Sequence, residues 1–155
     1  MTADGTPEER LAALGLAVPE VVAPVAAYVP AVRSGSLVFT AGQLPMRSGQ
    51  LMATGKVGGA VTPEAALECA QQCALNALAA VRAEVPLDSV VRVVKLVVFV
   101  ASTPDFTGQP QVANGASDLV AGAFGEAGRH ARSAVGVPVL PLDAPVEVEM
   151  VVEVA

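Results

Sequence analysis

A single arginine and a row of carboxylates near the end of the chain have types and spacing that suit chemistry. Arg132 opens an apolar run, and Glu147, Glu149 and Glu153 alternate with apolar residues in the run that follows. A guanidinium and a carboxylate on neighbouring strands suit the binding of a small polar ligand. The same pattern is typical of a solvated sheet face, so spacing alone leaves both interpretations open.

Two strand-like runs separated by a turn at residues 141–145 must position these side chains. The second run has period two, which predicts a strand with one apolar face, made of Val146, Val148, Met150, Val152 and Val154. Upstream, the patterns predict a capped short helix at 7–14, a hairpin of 28–33 and 37–40, a short strand at 51–53, a helix from 63 to Pro86, a strand at 90–100 covered on both faces, and a second helix from 109 or 111 to 124. This order predicts an α+β fold with two helices on one face of a mixed or antiparallel sheet.

Composition and charge narrow the class of protein. The chain has 155 residues, 53% of them apolar and 15% charged, so we expect a single domain that buries extra surface in a homo-oligomer, with an apolar monomer as the alternative. A net charge of −6 without a basic cluster argues against binding to nucleic acid.

No apolar stretch is long enough to span a bilayer and the start resembles no secretory signal, so we expect a cytoplasmic protein with no membrane partner. Cys69, Cys73 and the lone His130 match no metal spacing, so we expect no metal site.

Taken together, the motifs resemble the Rid family, also called YjgF-like or endoribonuclease L-PSP. The matching pieces are Tyr28-Val29, residues 39–45, 73–76, 93–95 and 99–100, Asp105-Phe106, Asn114, and residues 131–133, 140–141 and 146–149. The resemblance covers residues 23–154, so residues 1–22 would be an N-terminal extension carrying the short helix of a single domain over residues 1–155. The segments 114–117 and 124–137 look like a less-studied branch that keeps the substrate-binding arginine.

The resemblance implies a chorismate-mutase-like subunit, assembled as a homotrimer around a central barrel, with ligand clefts between subunits. Well-studied members hydrolyse reactive 2-imino acids to 2-keto acids and ammonia without a cofactor. By position, Arg132 would bind the substrate carboxylate and Glu147 would lie near the attacking water and the leaving amine. Tyr28 of a neighbouring subunit would line the cleft, Gly42 would offer backbone at close range, and Asn114 would hydrogen-bond at the rim.

Plainer interpretations of these positions stay open. Arg132 and Glu147 are also compatible with ordinary exposed charges on a strand. Tyr28 is compatible with a side chain that fills space at the edge of the core, and Asn114 with an amide on a helix surface.

Three positions depart from the family pattern. Ala41 stands where many members carry serine, His130 where proline is common, and Ala134, at a substrate-binding position, where many carry a reactive cysteine.

The arginine remains, so we predict an imine or enamine deaminase of metabolite damage control. A non-catalytic trimeric protein that binds small carboxylates is the alternative, and a ribonuclease is disfavoured by the acidic charge and the lack of a histidine pair.

Overall fold

The computed structural model describes residues 5–21 and 26–155, which form a five-stranded sheet, a small separate hairpin and three α-helices. The helices are α1 (Pro7–Ala13), α2 (Pro63–Glu84) and α3 (Gln109–Phe124). The strands are β1 (Ala31–Ser34), β2 (Leu37–Thr40), β3 (Met46–Arg47), β4 (Gln50–Leu51), β5 (Val90–Ala101), β6 (Ala131–Val137) and β7 (Val146–Val154). The order in the sheet is β1-β2-β7-β5-β6, and only β5 and β6 run parallel. The sheet is therefore mixed, which confirms the predicted α+β class.

Local sequence signals start the helices where they were predicted. Thr6 Oγ1 accepts from the Glu9 amide at 3.1 Å while Glu9 Oε2 accepts from the Thr6 amide at 2.8 Å, so α1 begins with a reciprocal capping box. Thr62 Oγ1 accepts from the Ala65 amide at 3.1 Å, which satisfies an otherwise unpaired donor in the first turn of α2. Leu11 of α1 is fully buried in the core, so the N-terminal segment packs onto the domain. The predicted extension boundary at residue 22 lies outside the described residues.

The alternation of β7 sets the layers of the molecule. Its residues of one parity are buried under α2, and those of the other parity are partly exposed, while α3 packs on the same face over β5 and β6. Both long helices therefore cover one face of the sheet, as predicted. The predicted strand at 90–100 is central, between β7 and β6. Within the described chain its helix-facing side is buried, while Val97 and Phe99 on the other side stay partly exposed, so the predicted cover of its second face stays a prediction.

Two short strands differ slightly from their predicted bounds. The pairing of β1 starts at Ala31, directly after Pro30, whose nitrogen has no hydrogen to donate to a ladder. β4 starts at Gln50 and pairs with β3 across Ser48 and Gly49, which have φ values of 52° and 79°. Two consecutive left-handed residues are typical of a tight hairpin turn, which brings the pairing closer to the turn than hydrophobicity suggested.

Close contact between α2 and α3 depends on Gly115. A methyl group at this position would overlap the main-chain carbonyl of Leu67 in α2. Gly115→Ala should therefore destabilise the protein by about 1–3 kcal/mol, because the helices must move apart to fit the added methyl. The denaturant midpoint of unfolding measures this change.

Gly122→Ala is the matched control on the same helix. A methyl at Gly122 would meet only the end of the exposed Leu14 side chain, at 3.1 Å. Because alanine favours helix more than glycine does, this variant should gain up to about 1 kcal/mol. Equal midpoints for the two variants would show that the helices do not pack closely at Gly115.

Candidate functional site

Arg132 lies on the edge strand β6 and points toward the helix layer. It pairs with Leu96 of β5, which in turn pairs with Met150 of β7, and both partners are buried beneath the helices. The Arg132 Nη1 atom donates to Asn114 Oδ1 at 2.8 Å and to Ser117 Oγ at 3.1 Å. Because residues three apart on a helix lie on the same side, α3 presents both acceptors to the guanidinium. The structure thus brings the predicted Arg132 and Asn114 together.

The positive charge of Arg132 has no anionic partner in the described part of the chain. Its two contacts there are to an amide and a hydroxyl, and no ion pair includes it. No hydrogen bond from Nη2 or Nε is found among the described residues. These two nitrogens form the fork that binds a carboxylate in a bidentate manner. The arrangement therefore suits a small anion with a planar carboxylate group.

Ser117 and His130 extend this cluster and were not predicted as site residues. His130 Nε2 lies 2.9 Å from Ser117 Oγ, and its Nδ1 lies 2.6 Å from the main-chain oxygen of Gly128. The sequence signal that could have identified Ser117 is its spacing: it follows Asn114 by three residues, which places both on one side of a helix. Ala134 follows Arg132 by two residues on the same side of β6 and packs against the core.

Glu147 lies on the other face of the sheet. It alternates with the buried Val146 and Val148 and pairs with Phe99. Burial, and secondarily the nearby Glu149 carboxylate, raises the pKa of Glu147 above its ordinary value. A methyl group at Gly42 would lie 2.8 Å from the Glu147 carboxyl carbon, so the absence of a side chain at Gly42 lets the carboxylate lie against the main chain in this position. Glu147 and Gly42 were predicted separately as site residues, and the structure brings them together.

The two groups are well separated within one chain. Glu147 is three residues along β7 from Met150, the residue in register with Arg132 two strands away. At strand spacings of ~4.8 Å and a rise of ~3.3 Å per residue, the backbones are about 14 Å apart, with the side chains on opposite faces. Tyr28 precedes β1, at the far edge of the sheet from β6, and is 58% exposed. One chain thus carries two half-sites, which we name the arginine half-site (Arg132, Asn114, Ser117) and the glutamate half-site (Glu147, Gly42).

The two cysteines are not activated as nucleophiles. Burial, and then the Glu68 carboxylate, raises the pKa of Cys69 to about 11, and burial also raises the pKa of Cys73. Both thiols therefore stay protonated near neutral pH. Residues 5–21 and 26–155 contain no group of three His, Cys, Asp or Glu side chains able to hold a metal ion. None of the described helices is long and apolar enough to cross a membrane.

Known proteins similar to this chain share its fold over most of their length. Residues 8–154 match the family described as "YjgF/chorismate_mutase-like, putative endoribonuclease". Protein TCP17 of Trypanosoma cruzi is 45% identical, over 99% of this chain and 97% of the relative. The crystal structure of Atu1372, a protein of unknown function from Agrobacterium tumefaciens, is 46% identical with a TM-score of 0.90, covering 96% of this chain and 92% of that one. E. coli TdcF with bound serine is 25% identical with a TM-score of 0.66, covering 88% and 94%.

The raised pKa of Glu147 has a consequence for stability. The folded state binds the proton of this carboxyl more tightly than the unfolded state does, so ionisation destabilises the fold. Glu147→Gln should therefore unfold at a higher denaturant concentration near neutral pH. The gain should vanish as the pH falls below the ordinary glutamate pKa of about 4.3, where the carboxyl is protonated in both states.

Two measurements check the cause of this effect. The midpoints of the wild type and Glu147→Gln are compared across the acid range, and a gain that is the same at every pH would contradict the role of ionisation. Glu149→Gln removes only the secondary cause of the raised pKa, so it should give a smaller gain of the same sign.

Proposed function

The chain belongs to the YjgF/chorismate-mutase-like family, also called Rid, and on that premise we propose that it is an imine hydrolase. The reaction converts a reactive 2-imino acid and water to a 2-keto acid and ammonia. One observation carries the proposal: the guanidinium of Arg132 is held on uncharged partners and forms no ion pair within the described residues. Such a group is suited to bind the carboxylate that every 2-imino acid carries.

Arg132 contributes orientation as well as affinity. The fork of Nη2 and Nε donates to both oxygens of a carboxylate, while Nη1 stays hydrogen-bonded to α3. The carbon next to the bound carboxylate is then the imine carbon, at a fixed direction from the guanidinium. Restricting that direction lowers the entropic part of the barrier to attack by water. Asn114 shares in this because it anchors the same guanidinium nitrogen.

Glu147 supplies the proton transfers. As the oxygen of a water molecule bonds to the carbon of the protonated imine, the Glu147 carboxylate takes one proton of that water and the π electrons move to nitrogen, which gives a neutral carbinolamine. The Glu147 carboxyl then returns that proton to the nitrogen. The C–N bond breaks with its electron pair leaving on ammonia, while the Glu147 carboxylate takes the proton of the hydroxyl, whose oxygen becomes the ketone oxygen; the carboxyl then gives this proton to solvent. Burial raises the pKa of Glu147, which makes the carboxyl a better match for both accepting and donating a proton near neutral pH.

A second copy of the chain completes the site in this proposal. Since one chain holds the two half-sites on opposite faces of its sheet, the glutamate half-site of one copy would meet the arginine half-site of the next. Tyr28, which is exposed at the far edge of the sheet, would line the same cleft. A homotrimer closed around a central barrel would also cover Phe39 and Val32, which are exposed on the sheet face away from the helices. The proposal needs no cofactor, metal, nucleic acid or membrane, and assigns the protein to the cytoplasm.

A second candidate function is the binding of small carboxylates without turnover. It is favoured by the alanines at positions 41 and 134, which offer no hydroxyl or thiol, and by the serine bound to the relative TdcF. In this case the protein would sense or carry a 2-keto acid. Calorimetric binding of a 2-keto acid, together with no acceleration of imine hydrolysis, would favour this function over the first.

Substitution of Arg132 tests the hydrolase. A pyridoxal-phosphate dehydratase generates the imine in the assay, and the rate of 2-keto acid formation is measured. Arg132→Ala should lower kcat/KM about 100-fold or more, and Arg132→Lys should lose an intermediate amount because lysine keeps the charge without the planar fork. Arg129→Ala is the matched control, since Arg129 is an exposed arginine three residues away that pairs with Glu126. Unchanged rates for Arg132→Ala would remove the proposal.

Mixing subunits tests the shared site. Arg132→Ala and Glu147→Gln should each be inactive alone. Co-refolded in equal amounts, they should regain about a quarter of the wild-type activity, because random assembly places an intact arginine opposite an intact glutamate in one cleft of four. No recovery, from inactive variants that still assemble, would mean that both residues act within one chain. Activity of Glu147→Gln on its own would mean that Glu147 takes no part.

A further inference from the structure

A chain of hydrogen bonds runs from a main-chain carbonyl to the guanidinium of Arg132. The Gly128 oxygen lies 2.6 Å from His130 Nδ1, His130 Nε2 lies 2.9 Å from Ser117 Oγ, and Ser117 Oγ lies 3.1 Å from Arg132 Nη1. The hydrolase mechanism above uses only the last member of this chain. Ser117 and His130 therefore need an explanation of their own.

The first bond sets the direction of all the others. A carbonyl oxygen only accepts, so Nδ1 of His130 must carry the proton that points to Gly128. In the neutral ring Nε2 is then an acceptor, and the hydroxyl of Ser117 donates to it. The hydroxyl proton is thereby directed away from Arg132, so the lone pairs of the Ser117 oxygen face the guanidinium and accept from Nη1.

The anchor of this chain is held by close packing. Gly128 is buried, and a methyl group there would lie 2.5 Å from the main-chain oxygen of Val120 in α3. The turn of residues 125–128 therefore lies against α3 with no room for a side chain at Gly128. Since Ser117 and Asn114 are on the same helix, the carbonyl anchor and both acceptors of the guanidinium belong to one packed unit.

We propose that Ser117 and His130 are positioning residues for Arg132: the ring of His130, protonated on Nδ1, orients the Ser117 hydroxyl, which holds the guanidinium with its Nη2 and Nε fork open to a carboxylate. Asn114 alone gives Nη1 one contact, which leaves the plane of the guanidinium free to turn about it. The second acceptor removes that freedom, because two bonds to one nitrogen define a plane. The part that concerns substrate rests on the proposed hydrolase; the part that concerns the guanidinium does not.

The tautomer of His130 is the most direct test. The sequence contains one histidine, so the long-range ¹H–¹⁵N spectrum of the ring has one set of signals and needs no assignment. At a pH where the ring is neutral, the spectrum should show the proton on Nδ1, although the free side chain prefers Nε2. A proton found on Nε2 would overturn the proposal, because Nε2 could not then accept from Ser117.

Two substitutions of His130 separate the acceptor from the rest of the ring. His130→Gln keeps an acceptor oxygen near the place of Nε2, whereas His130→Asn keeps a donor near the place of Nδ1 but has no acceptor within reach of Ser117. With a 2-keto acid as ligand, His130→Asn and Ser117→Ala should bind on the order of tenfold more weakly, the size of one lost hydrogen bond to a charged group. His130→Gln and Ser117→Thr, which keeps the hydroxyl, should stay within about threefold of the wild type.

Kinetics distinguish positioning from proton transfer. A serine bonded to a histidine that a third group orients also has the arrangement of a nucleophile and its base. If His130 acts by positioning, the His130→Gln variant should keep both KM and kcat close to their wild-type values. If His130→Gln binds the ligand normally but loses kcat at least 100-fold, the pair transfers protons instead and the positioning role is overturned. Equal losses for His130→Gln and His130→Asn would overturn it as well.

A readout on the free protein keeps this test separate from that of the hydrolase. The ¹⁵N relaxation of Arg132 Nε, identified by its absence in Arg132→Lys, should report an ordered side chain in the wild type and His130→Gln. The same signal should report greater motion in Ser117→Ala and His130→Asn, at temperatures well below their unfolding midpoints. If Ser117→Ala leaves the order of Arg132 unchanged, the positioning role is wrong whether or not the protein hydrolyses imines.

Discussion

The contact on which the candidate site depends is the pair of hydrogen bonds from Arg132 to α3. It joins the edge strand of the sheet to the helix that packs beside it, and both acceptors carry no charge. A carboxylate acceptor in their place would neutralise the guanidinium and remove its attraction for a ligand. With an amide and a hydroxyl, the side chain is held in place while its charge remains available. Nη1 thus fixes the position of the Arg132 side chain, and the rest of the guanidinium keeps its charge available to a ligand.

Sheet geometry then decides what a single chain is able to do. Side chains of a strand alternate between the two faces of a sheet, and the register places Arg132 at the edge of the helix-covered face and Glu147 on the opposite face. No rotation of side chains brings groups across a sheet that is hydrogen-bonded on both sides. The described chain therefore holds the two candidate half-sites apart, and its outer sheet face combines exposed apolar residues such as Phe39 with carboxylates. Both features favour function in an assembly.

Several parts of the fold were predictable because they depend on local chemistry. The capping box of Thr6 and Glu9 and the cap of Thr62 involve residues within one helical turn, so the sequence alone predicts these contacts. The alternation in β7 is set by burial of every second side chain and needs only the order of residues. The resemblance to the family contributed Arg132, Asn114, Gly42 and Glu147 as site positions, and the structure places these four in two pairs.

The sequence by itself determined the set of elements and the apolar face of each. It also determined that Arg132 opens an apolar run with few other charges. The contact of Ser117 with His130 could not be predicted from the sequence, because it joins a helix to a turn 13 residues later and depends on how closely that turn packs on α3. The meeting of Gly42 with Glu147 was also decided by tertiary structure, since these residues are distant along the chain and meet only through the bridge of Gln43 with Val148. The separation of Arg132 from Glu147 has the same origin: strand order and register belong to the whole sheet, and period-two patterns specify faces without specifying neighbours.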